Sequence, residues 1–200
     1  SQRAFFFFFL IIRAEKISVM GAGSLAGIDL ERFDPCLYSV YEVRALREDL
    51  SIPETGTILL FVGRITPDKG ISELISAFRD IVKDKDNVFL VLVGPFESVG
   101  ESIINQVDDA RVRDKIRTVG FSSEPEKYMA LADLLCLPSY REGFGTVVIE
   151  AAAMGTPAIG TDIYGLSDAI VNGKTGVLVP VRDSTALKEG ILSALNDPKM

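Results

Sequence analysis

The 200-residue chain contains no histidine and no tryptophan, and its two cysteines, Cys36 and Cys136, lie a hundred positions apart. Without histidine, the Ser-His-Asp and Cys-His nucleophile systems and any His-ligated metal site are excluded from this chain alone. Two distant cysteines match neither a disulfide scaffold nor the paired spacing of a structural metal, so a reducing compartment is expected. Positive charge is also scarce, with 21 Lys and Arg against 28 Asp and Glu for a formal net charge of -7. A general nucleic-acid binder or an anionic-membrane coat is therefore disfavoured, and any anion site must be local. The apolar run from Phe5 to Ile12 is far short of the roughly 20 residues that cross a bilayer, and Arg13, Ala14, Glu15 and Lys16 after it make no convincing signal-cleavage site. Its five phenylalanines have neither helical nor strand period and read as a low-complexity lead-in over residues 1–15. The absence of an initiator Met and the stop just after STALKEGILSALNDPKM are read as marks of a fragment.

What the chain does contain is enough apolar sequence, 48%, for one domain with a substantial core. From Thr57 onward short apolar runs alternate with amphipathic stretches: TILLFVG, ISELISAFRDIVKD, NVFLVLVG, a polar helix over 102–114, IRTVGF, a helix near 126–132, DLLCLP, a helix over 145–154, PAIGT, a helix near 166–171, and GVLVP. Six runs apolar on both faces imply an α/β fold with a doubly wound, Rossmann-like parallel sheet of about six strands. KISVMG reads as a further strand ahead of them and YSVYEVRALREDL as a helix.

Ligands of such sheets bind beyond the carboxyl ends of the strands, so the loops there carry the information. Gly21, Gly23 and Ala26 formally satisfy a dinucleotide fingerprint, but Pro35 comes soon after and no acidic ribose ligand closes a second strand, which favours a tight loop. After TILLFVG, Arg64 stands at the strand tip and Lys69 at the first turn of the next helix, with Asp68 as N-cap. A guanidinium fork beside a compact ammonium suits a diphosphate; the bland alternative is a surface pair. In SYREGFGTVVIEAAAMG, Glu142 lies in a loop and Glu150 on a helix so apolar that burial is expected. A buried carboxylate requires donors, either sugar hydroxyls or a structural salt bridge to Arg64 or Lys69 that would leave Glu142 merely solvated. Gly143 and Gly145 leave the backbone amides at the helix start open to an anion.

GRITPDKG, NVFLVLVG, RTVGF, LPSYREGFGTVVIEAAAMGTPAI and GKTGVLVP together resemble the C-terminal nucleotide-sugar domain of glycosyltransferase family 4, from about Lys16 to Asn196. The resemblance implies that residues 16–200 are the C-terminal half of a GT-B fold. It implies that Arg64 and Lys69 bind the donor diphosphate, Glu150 holds the ribose, and Glu142, Gly143, Phe144, Gly145 and Thr146 lie against sugar and phosphates. Gly63 and Gly94 would line the site, with the backbone around Val119 and Phe121 facing the base. GAGSLAGIDLERF is similar to a stretch of bacterial members that build surface polysaccharides, often from UDP-sugars, but has Ala22 and Ala26 where serine and asparagine are expected.

By the same resemblance the activity is retaining transfer of a sugar from a nucleoside-diphosphate sugar, without cofactor or metal, with Arg64, Lys69 and Glu142 as the chemical centre. The acceptor, a glycan or lipid-linked glycan, would bind mainly to an N-terminal domain outside this chain. The expected location is cytoplasmic, with peripheral association of the full-length protein at the inner face of the membrane. An isolated piece is expected to bind nucleotide and turn nothing over. A related sugar-nucleotide epimerase and a non-catalytic binding or assembly domain remain as rivals.

Overall fold

The computed structural model describes residues 27–197; the Phe5 to Ile12 run, the KISVMG strand and the Gly21, Gly23, Ala26 loop lie outside them. Six parallel strands form one sheet: β1 (Thr57–Val62), β2 (Val88–Val93), β3 (Ile116–Gly120), β4 (Leu134–Leu137), β5 (Ala158–Thr161) and β6 (Gly176–Val179). Their spatial order is β3-β2-β1-β4-β5-β6. The chain builds one arm outward from β1, then returns to build the other from β4, so the strand order reverses between these two. In open α/β sheets that reversal leaves a crevice at the carboxyl ends where ligands bind.

Burial varies with position in the sheet. All six residues of β2 are buried, as are Ile58, Leu59, Leu60 and Phe61 of β1, because helices cover both faces. Each fully buried Leu, Ile or Phe contributes about 1.5–3 kcal/mol relative to an exposed one. The expectation of two apolar faces fails for β3. It is an edge strand with only Ile116 buried, and the Arg117 guanidinium leans out to the Leu50 and Ser51 carbonyls.

Helix α1 (Val40–Asp49) starts in a capping box of Ser39 and Glu42. Its Arg47 donates to the Pro53, Gly56 and Leu131 carbonyls, which fastens the helix to the sheet. Helix α2 (Ile71–Asp84) buries Ile71, Leu74, Ile75, Phe78, Ile81 and Val82, the i, i+3, i+4, i+7 stripe of an amphipathic helix. It packs beside α8 (Ser184–Asn196), which Asp183 caps by accepting from the Ala186 amide.

The polar helix expected over 102–114 is two helices, α3 (Ser98–Asn105) and α4 (Ala110–Arg113). They separate because the Asp109 side chain accepts from the Arg111 amide and starts the second. Helices α5 (Glu126–Met129), α6 (Thr146–Ala153) and α7 (Leu166–Ala169) complete the cover.

Helix α6 is not the buried helix its composition suggests. Only Val148 and Ala151 are buried, while Thr146 and Ala152 are exposed and Ile149 is partly so. It packs over β4 and β5 between α5 and α7 and leaves its outer face, with Thr146 and Ala152, to solvent.

Candidate active site

The tips of three strands are laced together by backbone. The Gly63 amide donates to the Val93 carbonyl at 2.9 Å and the Gly94 amide to the Gly120 carbonyl at 2.7 Å. Gly94 has φ +145°, and a Cβ there would stand 1.8 Å from the Gly63 carbonyl oxygen. Only glycine allows this approach, and it brings the loops after β1, β2 and β3 to one edge.

Beyond β1 the chain forms a 3-10 turn, Pro67–Lys69, before α2 begins at Ile71. Lys69 is therefore in this turn, not in the first turn of the helix. Asp68 is no N-cap: it accepts from Thr66 Oγ1 at 2.6 Å, which lowers its carboxyl pKa. Gly70 joins turn and helix at φ +69°, and a Cβ on it would meet the Pro138 carbonyl oxygen at 2.1 Å. That contact sets the Lys69 turn directly against the loop after β4. The Tyr140 amide, donating to the Asp68 carbonyl at 2.8 Å, closes the same seam.

The two loops enclose a cavity of about 430 Å³ lined by Val62, Gly63, Arg64, Lys69, Leu137, Glu142, Gly143, Phe144, Gly145, Thr146 and Val147. Lys69 Nζ lies 2.5 Å from Glu142 Oε1, and both side chains are largely withdrawn from solvent, at 16% and 15% exposure. Ser139, wholly buried, donates to the same oxygen at 2.8 Å. Arg64 is well exposed and pairs with Glu97 at 2.7 Å. Gly145 stands at the N-cap of α6 in the left-handed conformation and no side chain caps the helix, so the first-turn amides of Thr146 and Val147, two residues that line the cavity, are left without a side-chain acceptor.

A second cavity of about 300 Å³ shares Val62, Gly63 and Arg64 with the first and continues past Val93, Gly94 and Pro95 to Phe121, Ser122 and Pro125. Its walls are mostly apolar, and Phe121 stands out from the rim, 78% exposed. Of the residues the sequence singles out, Gly63, Arg64, Lys69, Glu142, Gly143, Phe144, Gly145 and Thr146 share the first cavity, and Gly94 and Phe121 the second. Val119 and Glu150 line neither.

Glu150 lies four residues beyond Thr146, about 6 Å along the same face of α6. The salt bridge to Arg64 or Lys69 that the sequence allows for it is not formed, since those cations pair with Glu97 and Glu142. Among the described residues its carboxylate makes no hydrogen bond or ion pair. Partial burial raises its pKa; the nearby Arg32 guanidinium opposes the rise and Glu126 adds to it. Arg32 is itself committed, donating to Glu126 Oε2 at 2.7 Å and to the Ser123 carbonyl at 2.6 Å. Glu150 is thus a carboxylate with free acceptor capacity beside the segment that walls the second cavity.

The sequence reading missed Ser139, Glu97 and the Arg32–Glu126 pair. A small hydroxyl residue directly after an apolar strand and three positions before Glu142 was the available signal for Ser139. Among the described residues no three Cys, Asp or Glu side chains converge so as to hold a metal ion, and no helix is long and apolar enough to cross a membrane.

The sequence model described as "Glycosyl transferases group 1" matches residues 42–200. The chain is similar to the capsular polysaccharide biosynthesis glycosyltransferase CapM of Staphylococcus aureus, 34% identical over 193 residues that make up 95% of this chain and 49% of CapM. It is 32% identical to the solved sucrose-phosphate synthase of Thermosynechococcus elongatus, with a TM-score of 0.74 over 86% of this chain and 43% of that one. Anabaena HepE, solved in complex with UDP-glucose, has the same fold at 24% identity, with a TM-score of 0.79 over 92% of this chain and 49% of HepE. The chain spans about half the length or less of these proteins.

Proposed function

Because the chain belongs to the glycosyl transferases group 1 family, we propose that it is the donor-binding part of a retaining glycosyltransferase that takes a nucleoside-diphosphate sugar. The observation that carries the reading is the cavity at the β1/β4 reversal, where two cations, open helix amides and a fixed carboxylate face one space. The diphosphate lies between Arg64, Lys69 and the first turn of α6. Glu142 accepts from hydroxyls of the sugar, Glu150 accepts from the ribose diol, and the base enters the apolar cavity beside Phe121.

When the anomeric carbon–oxygen bond breaks, its electron pair goes to the departing diphosphate. The guanidinium, the ammonium and the amides are aimed where that charge develops, which is the electrostatic form of transition-state stabilisation. Glu142 orients the sugar while this happens. Residues 16–200 act as the donor domain and need no metal of their own for this step. The acceptor hydroxyl, on a glycan or lipid-linked glycan, is presented by a further domain.

UDP as the carrier and surface polysaccharide as the product are the finer parts of the proposal, and the similarity to the capsular polysaccharide glycosyltransferase CapM supports the product. Work at the cytoplasmic face of the membrane belongs with that product. Calorimetric titration with UDP, GDP and ADP tests the core of the reading: weak binding of at least one is expected, without turnover by this chain. Absence of heat for all three at millimolar concentration would overturn it.

A further inference from the structure

Glu142 Oε1 receives two donors of different character. Lys69 Nζ reaches it at 2.5 Å on a long, rotatable stem that belongs to another loop. Ser139 Oγ reaches it at 2.8 Å from within the Glu142 loop itself. Ser139 is anchored on both sides: its carbonyl accepts from the buried Thr161 hydroxyl at the end of β5, and the next amide, that of Tyr140, donates to the Asp68 carbonyl. A diphosphate entering the cavity competes with Glu142 for the Lys69 ammonium, and an ammonium can turn to a new oxygen without moving its backbone. The carboxylate then keeps one of its two donors.

We propose that Ser139 is a positioning residue, whose hydroxyl holds the Glu142 carboxylate in place for the sugar once Lys69 has turned to the diphosphate. The inference rests on the nucleoside-diphosphate-sugar reading and deepens it. Diphosphate binding should be indifferent to the Ser139 hydroxyl, whereas the added contribution of the sugar should depend on it. A merely structural role would affect both ligands alike.

The experiment is calorimetric titration of the 200-residue chain with UDP and with UDP-glucose, in the wild type, S139A, S139C, E142Q and the S139A/E142Q double variant. For S139A the UDP dissociation constant is expected to stay within about twofold, while the ratio of UDP-glucose to UDP dissociation constants rises about five- to twentyfold, the loss of a hydrogen bond to a charged group. The double variant should be no weaker for UDP-glucose than E142Q alone, since Ser139 acts through Glu142. Should thermal melts reveal that S139A is unfolded, S139C carries the same comparison, with a poor donor of similar size and a smaller rise in the ratio. Equal weakening of both ligands, an unchanged ratio, or additive losses in the double variant would overturn the role of Ser139. Failure of the wild type to bind either ligand would instead remove the nucleotide-sugar reading on which it stands.

Discussion

Lys69 and Glu142, 73 positions apart in the chain, meet at 2.5 Å across the crevice between β1 and β4. The ion pair is an internal counterion for both groups in the absence of ligand, so a diphosphate must displace a carboxylate to gain the ammonium. Glu142→Gln removes that competitor and a nearby negative charge. UDP alone is expected to bind about three- to tenfold more tightly to the variant and UDP-glucose more weakly. Calorimetry with both ligands checks this; a parallel loss for both would mean that Glu142 only braces the loop.

The opposite sign is expected for the cations. Arg64→Ala and Lys69→Ala should each weaken UDP binding by about 1.5–3 kcal/mol, the range for hydrogen bonds to charged groups. The Arg64–Glu97 pair is well exposed and contributes little to the fold, so Arg64→Ala should leave the unfolding temperature nearly unchanged. Affinities equal to wild type would leave Arg64 an ordinary surface residue and Lys69 a structural partner of Glu142 only.

Glu150 sets stability against binding. Its pKa in the folded state is raised above the ordinary carboxylate value of 4.5, first by desolvation, so the ionised form costs stability at neutral pH. That cost disappears as pH falls through the folded-state value to below the unfolded one, where the group is neutral in both states. Glu150→Gln should therefore melt about 1–2 °C higher at pH 7, a modest gain because solvent screens the exposed part of the side chain, and the advantage should vanish near about pH 4. The same variant should bind UDP less tightly. Melting curves at the two pH values suffice, and a lower Tm for the variant at pH 7 would contradict the assignment.

Gly70→Ala tests the seam between the two loops. The left-handed backbone and the 2.1 Å approach to the Pro138 oxygen together predict a loss of about 2–4 kcal/mol in urea unfolding, with UDP binding lost as the Lys69 turn is pushed away. A variant with wild-type stability and affinity would show that the turn can move freely.

The two thiols should separate cleanly. Cys36 is exposed, whereas Cys136 lies wholly buried in β4, where burial pushes its pKa far up. Titration with a chromogenic disulfide should count one thiol in the native chain and the second only in denaturant. Asp34 raises the Cys36 pKa through a hydrogen bond, so its reaction should be sluggish at neutral pH. Rapid reaction of both would place β4 elsewhere.

Strand runs such as TILLFV and VFLVLV were legible because a helix-covered parallel sheet demands continuous apolar sequence. Arg64, Lys69 and Glu142 were legible as types in the loops after strands, and Glu150 as a charge on an apolar helix. Their pairing was not, since Lys69 and Glu142 become neighbours only through the adjacency of β1 and β4, which residue spacing does not encode. The α6 stretch misled for a related reason: apolar composition signals burial only where a helix has neighbours on all sides, and the outer face of this one is open to solvent. Likewise Pro67 and Gly70 put a 3-10 turn where a helix start was expected, and the periodicity beyond them carried no trace of it.

The reversal between β1 and β4 divides the molecule by sequence as well as by space. Thr57–Gly120 supplies one arm of the sheet with Arg64 and Lys69, and Leu134–Val179 supplies the other with Glu142 and Glu150. A polypeptide severed within 122–125 would leave the basic half of the pocket on one piece and the acidic half on the other. A nucleotide bridging them would act as an adhesive, its affinity adding to that of the apolar β1/β4 seam by mass action.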